Sequence, residues 1–173
     1  AGFSGEDIMF TSNLTTVDAY QYAVDRGCII NIDWAADIYE LFENEIIPEN
    51  VCFRLNPGSI ENEIMGDSKE SKFGSTAEQI KDAVAFLAEQ GIKSIGLHTM
   101  VVSNENNSDI FGEYTEMIFE FAREIISEFG VEIDFINIGG GIGIPYQTDQ
   151  TVDVEAIAGA VNESYDKVLK ANG

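Results

Sequence analysis

Ile133-Asp134-Phe135-Ile136-Asn137-Ile138-Gly139-Gly140-Gly141-Ile142-Gly143-Ile144-Pro145-Tyr146 is the stretch on which the reading of this chain turns. The apolar run 133–136 has the character of a buried strand. Consecutive glycines at its end let the backbone approach a ligand, and the freed N–H groups can hold a phosphate. The same glycines also read as a plain turn, and spacing alone leaves both readings open. Immediately upstream, residues 114–129 read as a helix closed by Gly130. Met117, Ile118, Phe121, Ile125 and Phe129 share one of its faces, while Glu113, Glu116, Glu120, Arg123, Glu124 and Glu128 spread over the rest.

This pairing of helix and strand recurs toward the N-terminus. Short apolar runs at 7–11, 28–32, 51–55, 94–97 and 133–138 are strand-length and mostly continuous, as expected when both faces of a parallel sheet are covered. Between them, Thr15 or Thr16 can cap a helix over 17–26 before Gly27, and Asp33 can cap one over 35–42. Thr76 with Gln79 forms a capping box for a helix through Gln90, stopped by Gly91. Strand and helix alternate, which predicts parallel βα units in a barrel or a doubly wound sheet. A complete (β/α)8 barrel needs about 250 residues, so 173 would hold only part of one. The longer connections 56–75 and 99–112 leave the carboxyl ends of their strands, the edge that carries function in α/β folds. No internal repeat or linker divides the chain, so 1–173 reads as one segment of a single domain.

Composition narrows the partners. With 45% hydrophobic residues the chain can build a core. Its 31 acidic against 9 basic residues give a net charge of −22, which repels nucleic acid and anionic membranes, so neither is expected as a partner. Cys28 and Cys52 sit inside apolar runs, as buried reduced thiols do, and neither has a spacing that suggests zinc or a disulfide. No metal is expected. Without a signal peptide or a membrane-length apolar run, the expected location is cytoplasmic. Opening on Ala1 with strand-like sequence almost at once, the chain reads as a piece of something longer.

Few residues other than the abundant carboxylates offer chemistry. Arg54 ends an apolar strand and requires a partner, either a carboxylate or a bound anion. His98, the only histidine, follows the run 94–97 and reads as a core residue bonded to backbone or as a site residue at the functional edge. Ser103 and Asn104 can donate to a phosphate or cap turns of their own loop. Lys69 and Lys72 are a basic pair in a very acidic chain, with Lys69 placed to pair locally with Glu70 or Asp67.

In order, the segments Phe53-Arg54-Leu55-Asn56-Pro57-Gly58, Ser71-Lys72-Phe73-Gly74, Gly96-Leu97-His98 leading to Ser103, and Asn137 through Tyr146 resemble the pyridoxal-phosphate-dependent decarboxylases of the alanine-racemase-like barrel type, diaminopimelate decarboxylases above all. Four ordered matches over about half the chain are more specific than any one alone, and the resemblance extends over residues 7–146. The resemblance implies a partial TIM barrel, strands 3–7, and pyridoxal 5′-phosphate as cofactor. It implies that Gly139, Gly140 and Gly141 give backbone N–H groups to the phosphate, that Ser103 also touches it, and that Arg54 faces the ring region. His98 matches the first histidine of a Gly-Leu-His-x-His pattern. The second, which stacks on the cofactor ring, falls on Met100, and Val102 replaces a family glycine. Met100 can cover a ring face through its polarizable sulfur but cannot act as an imidazole.

By the same resemblance, the cofactor-linking lysine of the first strand, the second and eighth strands, and a C-terminal β-domain that completes the partner subunit's site would lie outside this chain. The parent protein is thus expected to be a homodimer that decarboxylates a small amino acid, meso-diaminopimelate to L-lysine, in lysine biosynthesis. This chain alone would be inactive. Other basic amino-acid or polyamine-pathway decarboxylases share the barrel. A catalytically silent homologue acting as a binding scaffold is the alternative that Met100 suggests.

Overall fold

A computed structural model describes residues 2–59, 72–146 and 151–172. Five strands, β1 (Met9–Ser12), β2 (Ile29–Ile32), β3 (Val51–Leu55), β4 (Ser94–Thr99) and β5 (Glu132–Asn137), alternate with α1 (Val17–Val24), α2 (Asp37–Glu43), α3 (Ala77–Glu89), α4 (Ser108–Phe129) and α5 (Val154–Val168). All strand pairs are parallel, and the spatial order is the sequence order, β1-β2-β3-β4-β5. A doubly wound sheet reverses direction at a switch point, and this one does not. Each strand is laid beside its predecessor, as in a barrel wall.

Curvature supplies independent evidence for the barrel. In a flat sheet, four steps of roughly 4.8 Å would hold β1 and β5 about 19 Å apart. Here the Asn137 side-chain amide of β5 reaches the Met9 sulfur of β1 at 3.6 Å. The wall therefore curls until side chains from its first and last strands meet across the lumen.

Strand residues alternate between two environments. Ile30, Ile32, Val51, Phe53, Leu55, Ile95 and Leu97 face outward and join Ile38, Ile80, Leu87, Ile118, Phe121 and Ile125 of the helices in one apolar core. The intervening residues face the lumen in rows. Thr11, Asn31, Cys52, Gly96 and Phe135 are register partners in one row, and Arg54, His98 and Asn137 in the next, nearer the carboxyl ends. Phe135 lies across Gly96, where a Cβ would come within 2.3 Å of its ring. A register shift between Ile95 and Gly96 on β4 keeps Phe135 and Asn137 in these rows.

Several expected caps form. Thr16 accepts from Ala19 N–H, and the Thr76–Gln79 box closes in both directions. Gly27, Gly91 and Gly130 adopt the left-handed conformation after α1, α3 and α4. Both cysteines are free and buried, with burial pushing the Cys52 thiol up. Three expectations need correction. Asp33 caps no helix: α2 begins at Asp37 behind Ala36, and the Asp33 carboxylate goes to Arg54 instead. The helix expected from residue 114 begins at Ser108, where the Asn107 side chain accepts from Asp109 N–H. Asp7 belongs to a short 3-10 turn, where its carboxylate bonds Ser4, rather than to β1. Ser71, Lys69 and the pairing expected for Lys69 lie outside the described residues.

Candidate cofactor site at the carboxyl ends of the strands

Arg54, His98 and Asn137 stand side by side at the mouth of the lumen because their strands are in register. Arg54 Nη1 donates to Asp33 Oδ1 at 3.1 Å, with both side chains about 15% exposed (15% and 14%). Asn13, with its amide nitrogen turned inward, donates to both Asp33 oxygens at 3.2 and 3.3 Å. The guanidinium also lies 5.3 Å from the Phe73 ring centroid. Arg54 is thus held from two sides, so its carboxylate partner exists whether or not an anion is bound.

His98 is 9% exposed, and its Nδ1 lies 3.2 Å from the Asn137 carbonyl oxygen. A carbonyl can only accept, so Nδ1 carries the proton and Nε2 is the acceptor. Burial holds the His98 pKa below the usual histidine value; the Asn137 carbonyl pulls it back up, and the Arg54 charge lowers it again. Near neutral pH the ring is uncharged with a fixed tautomer.

Beyond this row, the loops after β4 and β5 lie backbone to backbone. Glu105 N–H donates to Gly141 O, Gly143 N–H donates to Glu105 O, both at 2.8 Å, and Asn104 Oδ1 accepts from Ile144 N–H at 3.3 Å. Asn104 therefore ties the two loops together. A second apolar cluster of Phe111, Tyr114 and Ile157, with Val101, Val102 and Ile138 against it, supports both loops from below. The Tyr114 hydroxyl donates to Ile138 O at 3.3 Å, one residue before the glycines, and burial pushes its pKa up to about 12. Val102, where the family resemblance expected glycine, uses its side chain in this support.

The close approach explains the glycines. At Gly141 (φ +78°) a Cβ would lie 2.0 Å from Val102 O, and at Gly139 (φ +77°) 2.6 Å from Thr99 O. Gly140 has nothing within 4 Å of its Cβ position and faces open space. The three N–H groups are not equivalent. Gly139 N–H is spent on Asn137 Oδ1 at 2.8 Å, and Gly140 N–H makes only a 3.4 Å contact to Met100 Sδ. Gly141 N–H has no acceptor among the described residues. Two backbone donors therefore remain for an anion, with exposed Ser103 beside them: its backbone nitrogen is 3.2 Å from the Gly141 Cβ position. Successive N–H groups in such a conformation form an anion-binding concavity, which suits the phosphate of a pyridoxal cofactor.

Sequence reasoning thus named residues that the fold brings to one edge, and it missed two. Asp33 and Asn137 hold Arg54 and His98 in place. Asp33 carried the same signal as Arg54, a charged residue ending an apolar strand.

Comparison with known proteins agrees with this architecture. A family profile described as "Pyridoxal-dependent decarboxylase, pyridoxal binding domain" matches residues 1–173, beyond the 7–146 over which the sequence resemblance extends. Protein TabA of Pseudomonas amygdali pv. tabaci is 30% identical over 99% of this chain and 41% of its own length. The diaminopimelate decarboxylase of Thermoplasma acidophilum is 32% identical over 96% of this chain and 42% of its own. A solved diaminopimelate decarboxylase from m. jannaschi superposes with a TM-score of 0.81 at 26% identity, covering 95% of this chain and 40% of that one. The chain therefore spans about two-fifths of the length of these relatives. It belongs to the pyridoxal-dependent decarboxylase family, whose cofactor is pyridoxal phosphate, and forms part of the pyridoxal-binding domain.

Proposed function

We propose that this chain is the phosphate-holding arc of a decarboxylase that converts meso-diaminopimelate to L-lysine and carbon dioxide. The observation that carries the reading is the pair of under-used donors after β5: Gly140 N–H, with only a 3.4 Å contact to Met100 Sδ, and Gly141 N–H, with no acceptor among the described residues, just past the Arg54–His98–Asn137 row. In this reading Gly140, Gly141 and Ser103 hold the phosphate, and Gly139 contributes its left-handed turn rather than its N–H. Arg54, His98 and Met100 line the ring side. When bound, pyridoxal phosphate supplies the electron sink for the pair left behind as carbon dioxide departs.

The protein's part is orientation. Arg54 is immobilised by Asp33, so its charge sits at a fixed point. His98 is neutral and points an acceptor nitrogen, which suits a positioning role better than delivery of a proton from Nδ1. The lysine that would link the cofactor, the remaining strands and the second subunit belong to the rest of the parent protein. The Thermoplasma relative supports diaminopimelate as the substrate; TabA supports only the broader family.

The test is product analysis with the full-length protein supplied in turn with meso-diaminopimelate, ornithine and arginine. L-lysine and carbon dioxide in equal amounts from the first is the expected result. Turnover of only ornithine or arginine would overturn the substrate. Met100 at the position of the stacking histidine favours a second reading, a non-catalytic scaffold, which tight cofactor binding with no carbon dioxide from any substrate would support.

A further inference from the structure

Met100 touches the glycine run in a way that packing does not demand. The side chain is 38% exposed and belongs to neither apolar core. Its sulfur nevertheless lies 3.4 Å from Gly140 N as acceptor, and a Cβ on Gly139 would come within 2.9 Å of the same sulfur. A thioether is a weak acceptor, while a phosphate oxygen is charged and strong. Gly140 offers one proton, so its bond to sulfur must weaken or break when a phosphate oxygen takes it. We propose that Met100 Sδ and the phosphate of a phosphate-monoester ligand compete for the Gly140 N–H, making Met100 a positioning residue that lowers phosphate affinity and leaves Gly141 as the uncontested donor. The inference rests on reading the glycine run as a phosphate cradle.

Two substitutions separate the acceptor from the bulk. Met100→Leu keeps the volume and removes the acceptor; Met100→Gln keeps the length and provides a stronger one. In [15N]glycine-labelled full-length protein, Met100→Leu should move the Gly140 amide proton upfield and leave Gly141 in place. Inorganic phosphate and pyridoxal 5′-phosphate should then bind about three-fold tighter or more to the Leu variant, the scale of losing one weak competing hydrogen bond. The Gln variant should bind both more weakly than wild type. Inorganic phosphate has no ring for residue 100 to cover, so an affinity order of Leu above wild type above Gln for that ion reports the acceptor alone, an order that general loosening of the loop would not give.

Identical Gly140 resonances, or equal phosphate affinities across the series, would overturn the competition while leaving the cradle intact. If phosphate shifted neither Gly140 nor Gly141 in any of the three, the cradle itself would fall, and the competition with it.

Discussion

Gly140 and Gly141 are neighbours under opposite constraints. A methyl group at Gly141 would meet Val102 O at 2.0 Å on a left-handed backbone, whereas at Gly140 it meets nothing within 4 Å. Gly141→Ala should therefore cost about 1–3 kcal/mol and part the two loops, while Gly140→Ala should stay within about 0.5 kcal/mol; urea denaturation of the pair checks both. His98 adds a pH dependence of definite sign. Because burial depresses its folded pKa below the usual 6.5, the unfolded chain takes up a proton first as pH falls through that value, and stability declines. Above it both states are neutral and His98 contributes no slope. Stability measured from pH 7.5 to 5.5 should fall more steeply for wild type than for His98→Asn. Equal slopes would mean that the ring is not held neutral. At this scale the sequence announced Arg54 and His98 by their place after apolar runs. Their holders, Asp33 and Asn137, were hidden because one looked like a cap and the other like part of a glycine turn.

Elements were legible where local chemistry decides them. The Thr76–Gln79 box and the glycines after α1, α3 and α4 were read correctly because capping and left-handed stops are properties of a few consecutive residues. Thr76→Ala should lower stability by about 1 kcal/mol, measurable by thermal or urea unfolding. Tertiary pairing was not legible in the same way. Asp33 had cap chemistry available, yet the Arg54 guanidinium on the next strand took its carboxylate. The start of α4 lies six residues before the expected one because Asn107 caps a polar stretch whose apolar members, Ile110 and Phe111, pack into the second core rather than the first. That second core also needs α5, which lies close on α4: a Cβ on Gly112 would be 3.4 Å from the Ala160 Cβ, and Ser164 Oγ donates to Gly112 O at 2.8 Å. Gly112→Leu should push the helices apart and cost about 1–3 kcal/mol. Because the displaced helices support the glycine loop, pyridoxal phosphate affinity should fall with stability.

Across the whole molecule, alternation of strand and helix predicted parallel βα units, but periodicity could not choose between a barrel and a doubly wound sheet. Sequential strand order and the Asn137–Met9 contact across the lumen make that choice. Both are long-range facts, beyond the reach of any local pattern. The charge of −22 is also a property of the whole. Five ion pairs among the described residues leave most carboxylates without a cationic partner nearby, and their mutual repulsion is screened by salt. Raising potassium chloride from about 0.05 to 0.5 M should increase the melting temperature; a decrease would show that the ion pairs outweigh the repulsion. Whether the cofactor phosphate rests on the loop after β5 is decided by a crystal structure of the full-length protein with pyridoxal 5′-phosphate. Phosphate oxygens are expected about 3 Å from the backbone nitrogens of Gly140 and Gly141, with the ring beside Arg54 and His98. A phosphate bound elsewhere in the barrel, with Gly140 N–H still on Met100, would contradict that placement.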